Sequence, residues 1–464
     1  MYLRIDERDP ERVAVVEDTG KSYTFGDLTG FVPEFGSWIP ARSLIFILCQ
    51  NTMGTMAAHI ASIENRIVPL MISRHMDTAL RSTLIETYSP EYLWIPEEMQ
   101  AEFSGMEAVA RKFDYVLLKT GMPSPALYED LAMLLTTSGS TGSPKLVRHR
   151  YRNLYANAEN VAAVFGFNEN DRPWIELQLH YTMGLNVACS NLYAGATLVM
   201  TTMNAMQKEY WEHFKAQHIT NICGVPYSYE IWKKMRFFRS DWPDLRILAE
   251  GGGRLTDDMF TEVATYARDH GKQFFATFGT SETTARLAYL DPERALERIG
   301  SIGKAIPNGK LSLIDDDGHE IEEMDATGEM AYAGENVTLG YALCKEDLLK
   351  GDERFGVYRT GDLAHRDADG YYYIVGRKSR FLKLYGHRVG LDESERMIKK
   401  EFGIECACAG NDKKMQIYVT QPGLENAIRK FISEKTQILI SSFEVNVIPE
   451  IPKNEVGKIL YSKL

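Results

Sequence analysis

The chain has 464 residues, of which 44% are hydrophobic and 25% are charged, a composition typical of a globular protein with two or more domains. The formal net charge of −12 and the lack of any long basic run give no support to nucleic-acid binding. The scattered cysteines lack zinc-ligand spacing, and no apolar stretch reaches the ~20 residues of a membrane span. The charged amino terminus has no signal-peptide core, so a cytoplasmic protein without a membrane span is predicted.

Short apolar runs alternate with helical patterns over the first three-quarters of the chain. A strand is predicted over 43–49, a helix around 56–63 follows it, and a second strand covers 67–72. The same rhythm recurs over 245–277. Strand–helix–strand units of this kind predict a parallel sheet.

Glycine-rich or polar clusters follow several of these strands. In open α/β sheets, ligands bind beyond the carboxyl ends of the strands. The repeated placement therefore predicts one shared crevice. The clusters are residues 138–145, 224–226, 251–253 and 279–282.

The pattern changes after Gly300. The segments 312–318 and 364–371 each end in an acidic turn with glycine, as hairpins do. The stretch from 300 to 375 is therefore predicted to be antiparallel and β-rich.

A charged linker at 377–380 leads into a small α+β region that alternates strands and helices as far as residue 447. We therefore predict an α/β protein with two domains. The large N-terminal domain, residues 1–376, combines βαβ sheets with a β-rich subdomain, and a small α+β domain covers residues 380–464.

A hydroxyl- and glycine-rich loop follows the apolar run 131–135 and ends in Lys145. Its N–H groups, hydroxyls and single cation suit a polyphosphate, although a Ser/Gly surface turn is the plain alternative. Only two residues separate Gly139 from Gly142, where the Walker motif has four. This spacing argues against an ordinary P-loop ATPase and favours a different nucleotide chemistry.

Five motifs occur in a fixed order, at residues 137–145, 278–282, 358–363, 376–388 and 452–458. Together they resemble the motifs of the AMP-forming adenylating superfamily. This superfamily includes acyl- and aryl-CoA synthetases, adenylation domains of peptide synthetases, and luciferases. Tyr-Arg-Thr-Gly-Asp-Leu over 358–363 matches without change, and the resemblance extends over almost the whole chain.

The resemblance implies a site for ATP and Mg²⁺. Glu282 would place Mg²⁺ on phosphate oxygens, Ser281 would reach the α-phosphate, and Lys458 would bridge the substrate carboxylate and the α-phosphate as the adenylation lysine. The other implied ATP-binding residues are Thr137, Ser138, Gly139, Ser140, Thr141, Gly142 and Lys145 for phosphate, Phe278 for adenine with Gly279 and Thr280 in the same motif, Gly251, Gly252 and Gly253 along the adenine or the acyl group, Asp362 at the ribose, and Arg377 at the ribose or a phosphate.

The resemblance also implies that the C-terminal domain is a lid that rotates between adenylation and thioester-forming positions. Ser379 stands at the hinge, where the family usually has aspartate. Lys383 and Gly386 would lie along the path of the thiol. That thiol belongs to coenzyme A or to the phosphopantetheine of an acyl carrier protein.

The acid is expected to be a small-molecule carboxylic acid. Its pocket is predicted to be mostly apolar and without a charged anchor for an amino group, which favours an aryl or fatty acid over an amino acid. The predicted pocket residues are Tyr181, Met183, Gly184, Cys223, Gly224, Val225 and Thr277.

The sequence thus predicts an AMP-forming acid–thiol ligase, which converts a carboxylic acid and ATP to acyl-AMP and pyrophosphate and then transfers the acyl group to a thiol. One alternative is an enzyme that stops at acyl-AMP or passes the acyl group to an amine. The other is a non-catalytic nucleotide-binding relative, against which the presence of Glu282, Asp362 and Lys458 argues.

Overall fold

The computed structural model describes residues 1–136, 145–378, 380–384, 387–411, 413–436, 438–454 and 457–464. The helices are α1 (Phe25–Trp38), α2 (Met53–Glu64), α3 (Thr78–Tyr88), α4 (Tyr151–Phe165), α5 (Thr182–Tyr193), α6 (Lys208–Ala216), α7 (Pro226–Lys234), α8 (Asp257–Asp269), α9 (Leu391–Phe402) and α10 (Glu425–Thr436). The strands are β1 (Val13–Glu17), β2 (Ser22–Thr24), β3 (Leu44–Cys49), β4 (Val68–Ser73), β5 (Tyr92–Pro96), β6 (Glu107–Lys112), β7 (Tyr115–Lys119), β8 (Leu131–Thr136), β9 (Leu146–Arg150), β10 (Pro173–Ile175), β11 (Leu198–Met200), β12 (Asn221–Gly224), β13 (Ile247–Glu250), β14 (Gln273–Thr280), β15 (Ala285–Tyr289), β16 (Lys304–Ala305), β17 (Lys310–Ile314), β18 (Ala326–Ala333), β19 (Gly340–Ala342), β20 (Val357–Arg366), β21 (Tyr372–Arg377), β22 (Phe381–Leu384), β23 (His387–Gly390), β24 (Cys406–Asn411), β25 (Lys414–Val419) and β26 (Phe443–Val447).

The chain divides into two compact units. The first comprises Met1–Lys310 and Ala333–Tyr358, and the second comprises Leu311–Tyr332 and Arg359–Leu464. This division groups the β-rich hairpins with the C-terminal part of the chain. The domain boundary at 376–380 stays a prediction from the sequence.

Two large sheets form the first unit. One has the strand order β19-β9-β8-β4-β3-β5-β7-β6, and the other has the order β16-β15-β14-β13-β12-β10-β11-β1-β2. The predicted strand–helix–strand units are confirmed, since β3 and β4 pair in parallel around α2, and β13 and β14 pair in parallel around α8. Parallel strands buried on both faces read as continuous apolar runs, which is why β3 and β4 are buried at every position.

The core of the first unit contains residues of both sheets and of the helices α1, α2, α4 and α5. Representative members are Ile47 of β3, Leu135 of β8, Leu185 of α5, Ala249 of β13 and Phe275 of β14. Burial of this apolar surface supplies the main stabilising free energy and fixes the strand ends that carry the candidate site.

The second unit contains the predicted β-rich and α+β segments. One sheet has the order β17-β18-β20-β21, with β20 and β21 antiparallel as predicted, and another has the order β24-β25-β26. A separate apolar core includes Ile398 of α9, Ile417 of β25 and Ile432 of α10. Among the described residues, no helix is both long and apolar enough to cross a membrane.

The strands between residues 300 and 375 are distributed over more than one sheet. β16 pairs antiparallel with β15 in the first unit. Gly340–Ala342 leaves the β-rich sheet and pairs antiparallel with β9, with Gly340 opposite Arg148 and Ala342 opposite Leu146. Sheet pairing of this kind depends on a partner far away in the sequence, so local patterning could not indicate it. The pairing brings Tyr341 beside β9, the strand that follows Lys145.

Candidate active site

Glu282 lies in a single helical turn, Ser281–Thr283, directly after β14. Its main-chain carbonyl accepts hydrogen bonds from the N–H and the hydroxyl of Thr338, at 3.0 and 2.9 Å. The hydroxyls of Ser281 and Thr182, the first residue of α5, are hydrogen-bonded at 2.7 Å. These contacts fix a short polar turn at the end of a buried strand, where a bound nucleotide can meet it.

Tyr341 connects three charged residues around this turn. Its hydroxyl donates to Glu282 Oε1 at 2.6 Å, and its ring centroid lies 3.5 Å from Lys145 Nζ and 4.5 Å from Arg354 Cζ. Burial, followed by the nearby Glu282 carboxylate, raises the pKa of Tyr341, which keeps the phenol protonated as a donor. A carboxylate and two cations thus surround one aromatic ring, which is the charge set that a Mg²⁺–polyphosphate requires.

The main chain after Glu282 is strained. Thr284 and Ala285 adopt φ angles of 52° and 86°, which residues with a side chain rarely adopt. Asn336 stabilises this segment, because its side-chain amide donates to the carbonyls of Thr283 (2.8 Å) and Arg286 (3.2 Å). A Cβ on Gly279 would overlap the carbonyl oxygen of Ala285, so glycine permits the close approach of β14 and β15.

The predicted glycine cluster after β13 lies against predicted pocket residues. A Cβ on Gly251 would come within 2.7 Å of Thr277 Oγ1 and 3.1 Å of Met183 Sδ, and one on Gly252 within 3.2 Å of Val225 Cγ1. Met183, Val225 and Thr277 therefore meet at this cluster, although they come from three separate segments.

Two other predicted pocket glycines are explained by packing. A Cβ on Gly184 would collide with the carbonyl oxygens of Leu177 and Gln178, and one on Gly224 would come within 2.6 Å of the Trp232 ring. Tyr181 immediately precedes α5, and its ring centroid lies 4.2 Å from that of His180. Burial lowers the pKa of His180 to about 4, so this imidazole is neutral at physiological pH.

Two buried charged residues at the pocket were missed from the sequence. Glu250 ends β13 beside Gly251, and burial raises its pKa well above the usual value, which favours the protonated form of the carboxyl. Arg286 is only 3% exposed, and its Nη2 donates to Cys223 Sγ at 3.1 Å. The mostly apolar pocket without a charged anchor for an amino group stays a prediction. A signal existed, because each residue interrupts or ends an apolar run, at 247–249 and 285–290.

In the second unit, the β20–β21 pairing places Asp362 opposite Arg377. Arg377 Nε lies 2.7 Å from Asp362 Oδ1, and the Asp362 N–H donates to Thr360 Oγ1 at 3.0 Å. Asp362 is buried whereas Arg377 is exposed. Two residues from different sequence motifs thus form one ion pair, whose arginine faces solvent.

Lys458 lies in a tight loop. Its N–H donates to Asn454 Oδ1 at 2.9 Å, and its carbonyl accepts from the Asn454 N–H at 2.9 Å. The side chain is exposed. Asn454, which sequence reasoning overlooked, therefore holds the main chain from which this ammonium group extends.

Several predicted residues fall outside the described part of the chain. They are Thr137, Ser138, Gly139, Ser140, Thr141, Gly142, Ser379 and Gly386. Lys383 is described for its main chain alone, which pairs with Arg388 between β22 and β23.

The described residues fit Mg²⁺ brought in with a nucleotide better than a metal held by protein alone. Among them, no group of three His, Cys, Asp or Glu side chains could hold a metal ion. Mg²⁺ in nucleotide sites commonly uses one or two carboxylates, with phosphates and water completing its octahedron. Glu282 offers one such carboxylate.

Comparisons with known proteins identify the family of the chain. The family model described as "AMP-binding enzyme" matches residues 4–342. The chain is 25% identical to 2-succinylbenzoate–CoA ligase of Bacillus licheniformis over 99% of this chain and 97% of that protein. It is 29% identical to indoleacetate–CoA ligase of Aromatoleum aromaticum over 72% of this chain and 62% of that protein.

The fold of a solved relative is also similar. O-succinylbenzoate coenzyme A synthetase of Bacillus subtilis in complex with AMP superposes with a TM-score of 0.81 at 21% identity, covering 100% of this chain and 97% of that one. This confirms the α/β architecture with a larger N-terminal and a smaller C-terminal domain. The chain belongs to the AMP-binding enzyme family, and it is an enzyme of the acyl-CoA synthetase class within the AMP-forming adenylating superfamily.

Proposed function

We propose that this protein is an acid–thiol ligase that uses Glu282, Lys145 and Tyr341 to bind Mg²⁺–ATP and activate a carboxylic acid. The observation that carries this assignment is the hydrogen bond from Tyr341 to Glu282 beside the Lys145 ammonium group. The similarity to CoA ligases along nearly the whole chain supports coenzyme A as the thiol. An acyl carrier protein is the second possible source of that thiol.

In the first half-reaction, a substrate carboxylate oxygen attacks the α-phosphorus of ATP. A bond forms between that oxygen and phosphorus, the α–β phosphoanhydride breaks, and pyrophosphate leaves. Lys145 offers a cation to the departing phosphates, and the Glu282 carboxylate offers a ligand for Mg²⁺, which when bound neutralises phosphate charge. Substrate supplies the nucleophile, so the protein needs positioning and charge stabilisation more than its own nucleophile.

The second unit supplies two further proposed contributions. Asp362 accepts hydrogen bonds from the ribose hydroxyls while Arg377 holds that carboxylate in position. The Lys458 ammonium group, on its exposed side chain, bridges the acid carboxylate and the α-phosphate as negative charge develops. Both roles are inferred from the sequence motifs at 358–363, 376–388 and 452–458, which contain these residues.

In the second half-reaction, the thiol attacks the acyl carbonyl carbon, a thioester forms, and AMP leaves with the electrons of the broken C–O bond. The proposed lid, residues 380–464, turns about Ser379 and brings Lys383 and Gly386 to the thiol path. The pocket around Met183, Val225 and Thr277 holds the acyl group.

Pyrophosphate exchange with a panel of aromatic, short, medium and long acids tests the assignment. We expect acid-dependent exchange in the wild-type enzyme and a loss of about 100-fold or more in Glu282→Gln, because the lost carboxylate charge weakens Mg²⁺–ATP placement. Glu293→Gln, at an exposed site in the same unit, is the matched control. Exchange that no acid stimulates, or equal rates in both variants, would contradict the proposal. Adding coenzyme A or a pantetheine-loaded carrier protein and measuring thioester then identifies the acceptor.

A further inference from the structure

Arg286 is a buried cation beside the proposed acid pocket. It is the second residue of β15, lies opposite Gly279 of β14, and is 3% exposed. It forms no ion pair with any of the described residues. Buried arginines are normally paired, since an uncompensated charge in the interior is strongly unfavourable.

Only neutral groups contact the guanidinium among the described residues. Nη1 donates to Asn186 Oδ1, Nη2 donates to Cys223 Sγ at 3.1 Å, and the group lies 4.9 Å from the centroid of the Phe165 ring. Burial raises the pKa of the Cys223 thiol to about 11, so this group carries no negative charge at physiological pH. The Nε–H is buried and has no hydrogen-bond partner. Among the described residues, the Nε–H therefore lacks an acceptor, and the guanidinium lacks a counter-charge.

The contacts of Arg286 lie along the proposed acid pocket. Asn186 is on α5, three residues after Met183, whose sulfur reaches Gly251 and Gly252. Cys223 is on β12, next to Gly224, whose carbonyl accepts from the Gly251 N–H at 3.2 Å. The two hydrogen-bond partners of the guanidinium therefore belong to α5 and β12, the elements that also contact the glycine cluster at 251–253.

A small cavity lies on the Asn186 side of this arrangement. Its volume is about 20 Å³, and its polar wall contains Thr182, Asn186, Asn157 and Thr284. That volume holds one water molecule, and the Arg286 guanidinium reaches the cavity wall through Asn186. Thr182 hydrogen-bonds Ser281, so the cavity lies between the adenylate motif and the partner of Arg286.

We propose that Arg286 binds a second carboxylate on the acid substrate, so that the preferred substrates are dicarboxylic acids. This inference rests on the proposed function, in which the first carboxylate is adenylated. A carboxylate accepts the unused Nε–H together with an Nη–H in a bidentate pair and supplies the missing counter-charge. Monocarboxylic acids leave the guanidinium uncompensated, and they are discriminated against for that reason.

Matched acid pairs in pyrophosphate exchange test the inference: butanoate against succinate, pentanoate against glutarate, and benzoate against phthalate and isophthalate. For at least one pair we expect the diacid to be favoured about 100-fold in kcat/KM by the wild-type enzyme. Arg286→Met should remove that preference mainly through KM for the diacid, with KM for ATP unchanged. Arg286→Lys should restore part of the preference, because lysine keeps the positive charge. The restoration should be incomplete, because an ammonium group cannot form the bidentate pair that a guanidinium forms with a carboxylate.

Asn186→Asp keeps Arg286 and adds a permanent counter-charge at its Nη1. We expect this variant to lose the diacid preference while it still uses monoacids, which a purely structural arginine would not produce. If Arg286→Met fails to fold, Asn186→Asp still tests whether Arg286 binds a second substrate carboxylate. Equal use of diacid and monoacid by the wild type, or variants that change both acids equally, would overturn the inference and leave the ligase assignment intact. If no acid of either class supported exchange, the proposed function itself would fail, and this inference with it.

Discussion

The phenol of Tyr341 donates to Glu282 Oε1 at 2.6 Å, and the Lys145 ammonium group lies over the same ring, 3.5 Å from its centroid. An ammonium and a carboxylate this close to one side chain could otherwise pair directly with each other. Neither forms an ion pair with a described residue. Tyr341 thus keeps both charges available for a Mg²⁺–nucleotide.

Tyr341→Phe should therefore lower kcat/KM for Mg²⁺–ATP by about 10- to 100-fold, since a hydrogen bond to a charged group contributes about 1.5–3 kcal/mol. The ring remains as a spacer, so the acid KM should change little. Steady-state adenylation at varied Mg²⁺–ATP measures the effect, with Tyr227→Phe, at an exposed position, as the control. Wild-type kinetics in the Tyr341 variant would rule out this positioning role.

Lys458→Ala should leave the fold intact and reduce adenylate formation by about 100-fold or more, because the side chain is exposed and its proposed role is in the transition state. Circular dichroism and pyrophosphate exchange measure the two effects. Lys463→Ala, a second exposed lysine near the same end of the chain, should behave as wild type. An unchanged exchange rate in Lys458→Ala would reject the role.

Asp362→Asn should raise KM for ATP about 10-fold while kcat changes less, because the amide keeps the side-chain shape but weakens both the ribose contact and the pair with Arg377. Varied-ATP kinetics separate the two constants. Asp317→Asn, in an exposed part of the same unit, is the comparison variant. Equal KM values for Asp362→Asn and wild type would show that Asp362 does not contact the nucleotide.

Glu250 makes stability depend on pH. Its pKa is raised in the folded state by burial, so between the unfolded value near 4.3 and the folded value the native state binds the proton and the unfolded state does not. The wild type should therefore lose stability as pH rises above about 4.3, by up to about 1.4 kcal/mol per pH unit from this group.

Glu250→Gln lacks this titration. Its Tm relative to wild type should rise as the pH increases from about 4.3 towards the folded pKa of Glu250, whereas Glu293→Gln, at an exposed site, should show no such trend. A constant Tm difference across that range would mean that Glu250 is ionised in the native protein.

The sequence predicted the parts of the fold and site that depend on local pattern. Strand–helix–strand units and the glycine cluster at 251–253 have signatures within a few residues, and the structure contains both. Asp362 and Arg377 were predicted separately, and the pairing of β20 with β21 explains why they form an ion pair.

The remaining site residues required tertiary structure. Tyr341 is 59 positions from Glu282 and reaches it only because β19 joins a distant sheet. Arg286 interrupts an apolar run, but the pairing of β15 with β14 decides which neighbours its guanidinium meets. Periodicity shows that a residue is buried and leaves its partners undetermined.

Residues 333–358 belong to the first unit although they lie between two segments of the second unit, which affects how the protein can be divided into fragments. A fragment that stops at Lys310 would lack β19 and leave the hydrogen-bonding edge of β9 bare, which invites aggregation. It would also lack Tyr341 and Arg354. A cut after Lys310 therefore removes part of the candidate site, whereas a cut after Tyr358 keeps residues 333–358 but leaves β18 without its neighbour β20. Expression of the first unit alone requires residues 333–358 to be joined directly to Lys310 or supplied as a separate peptide.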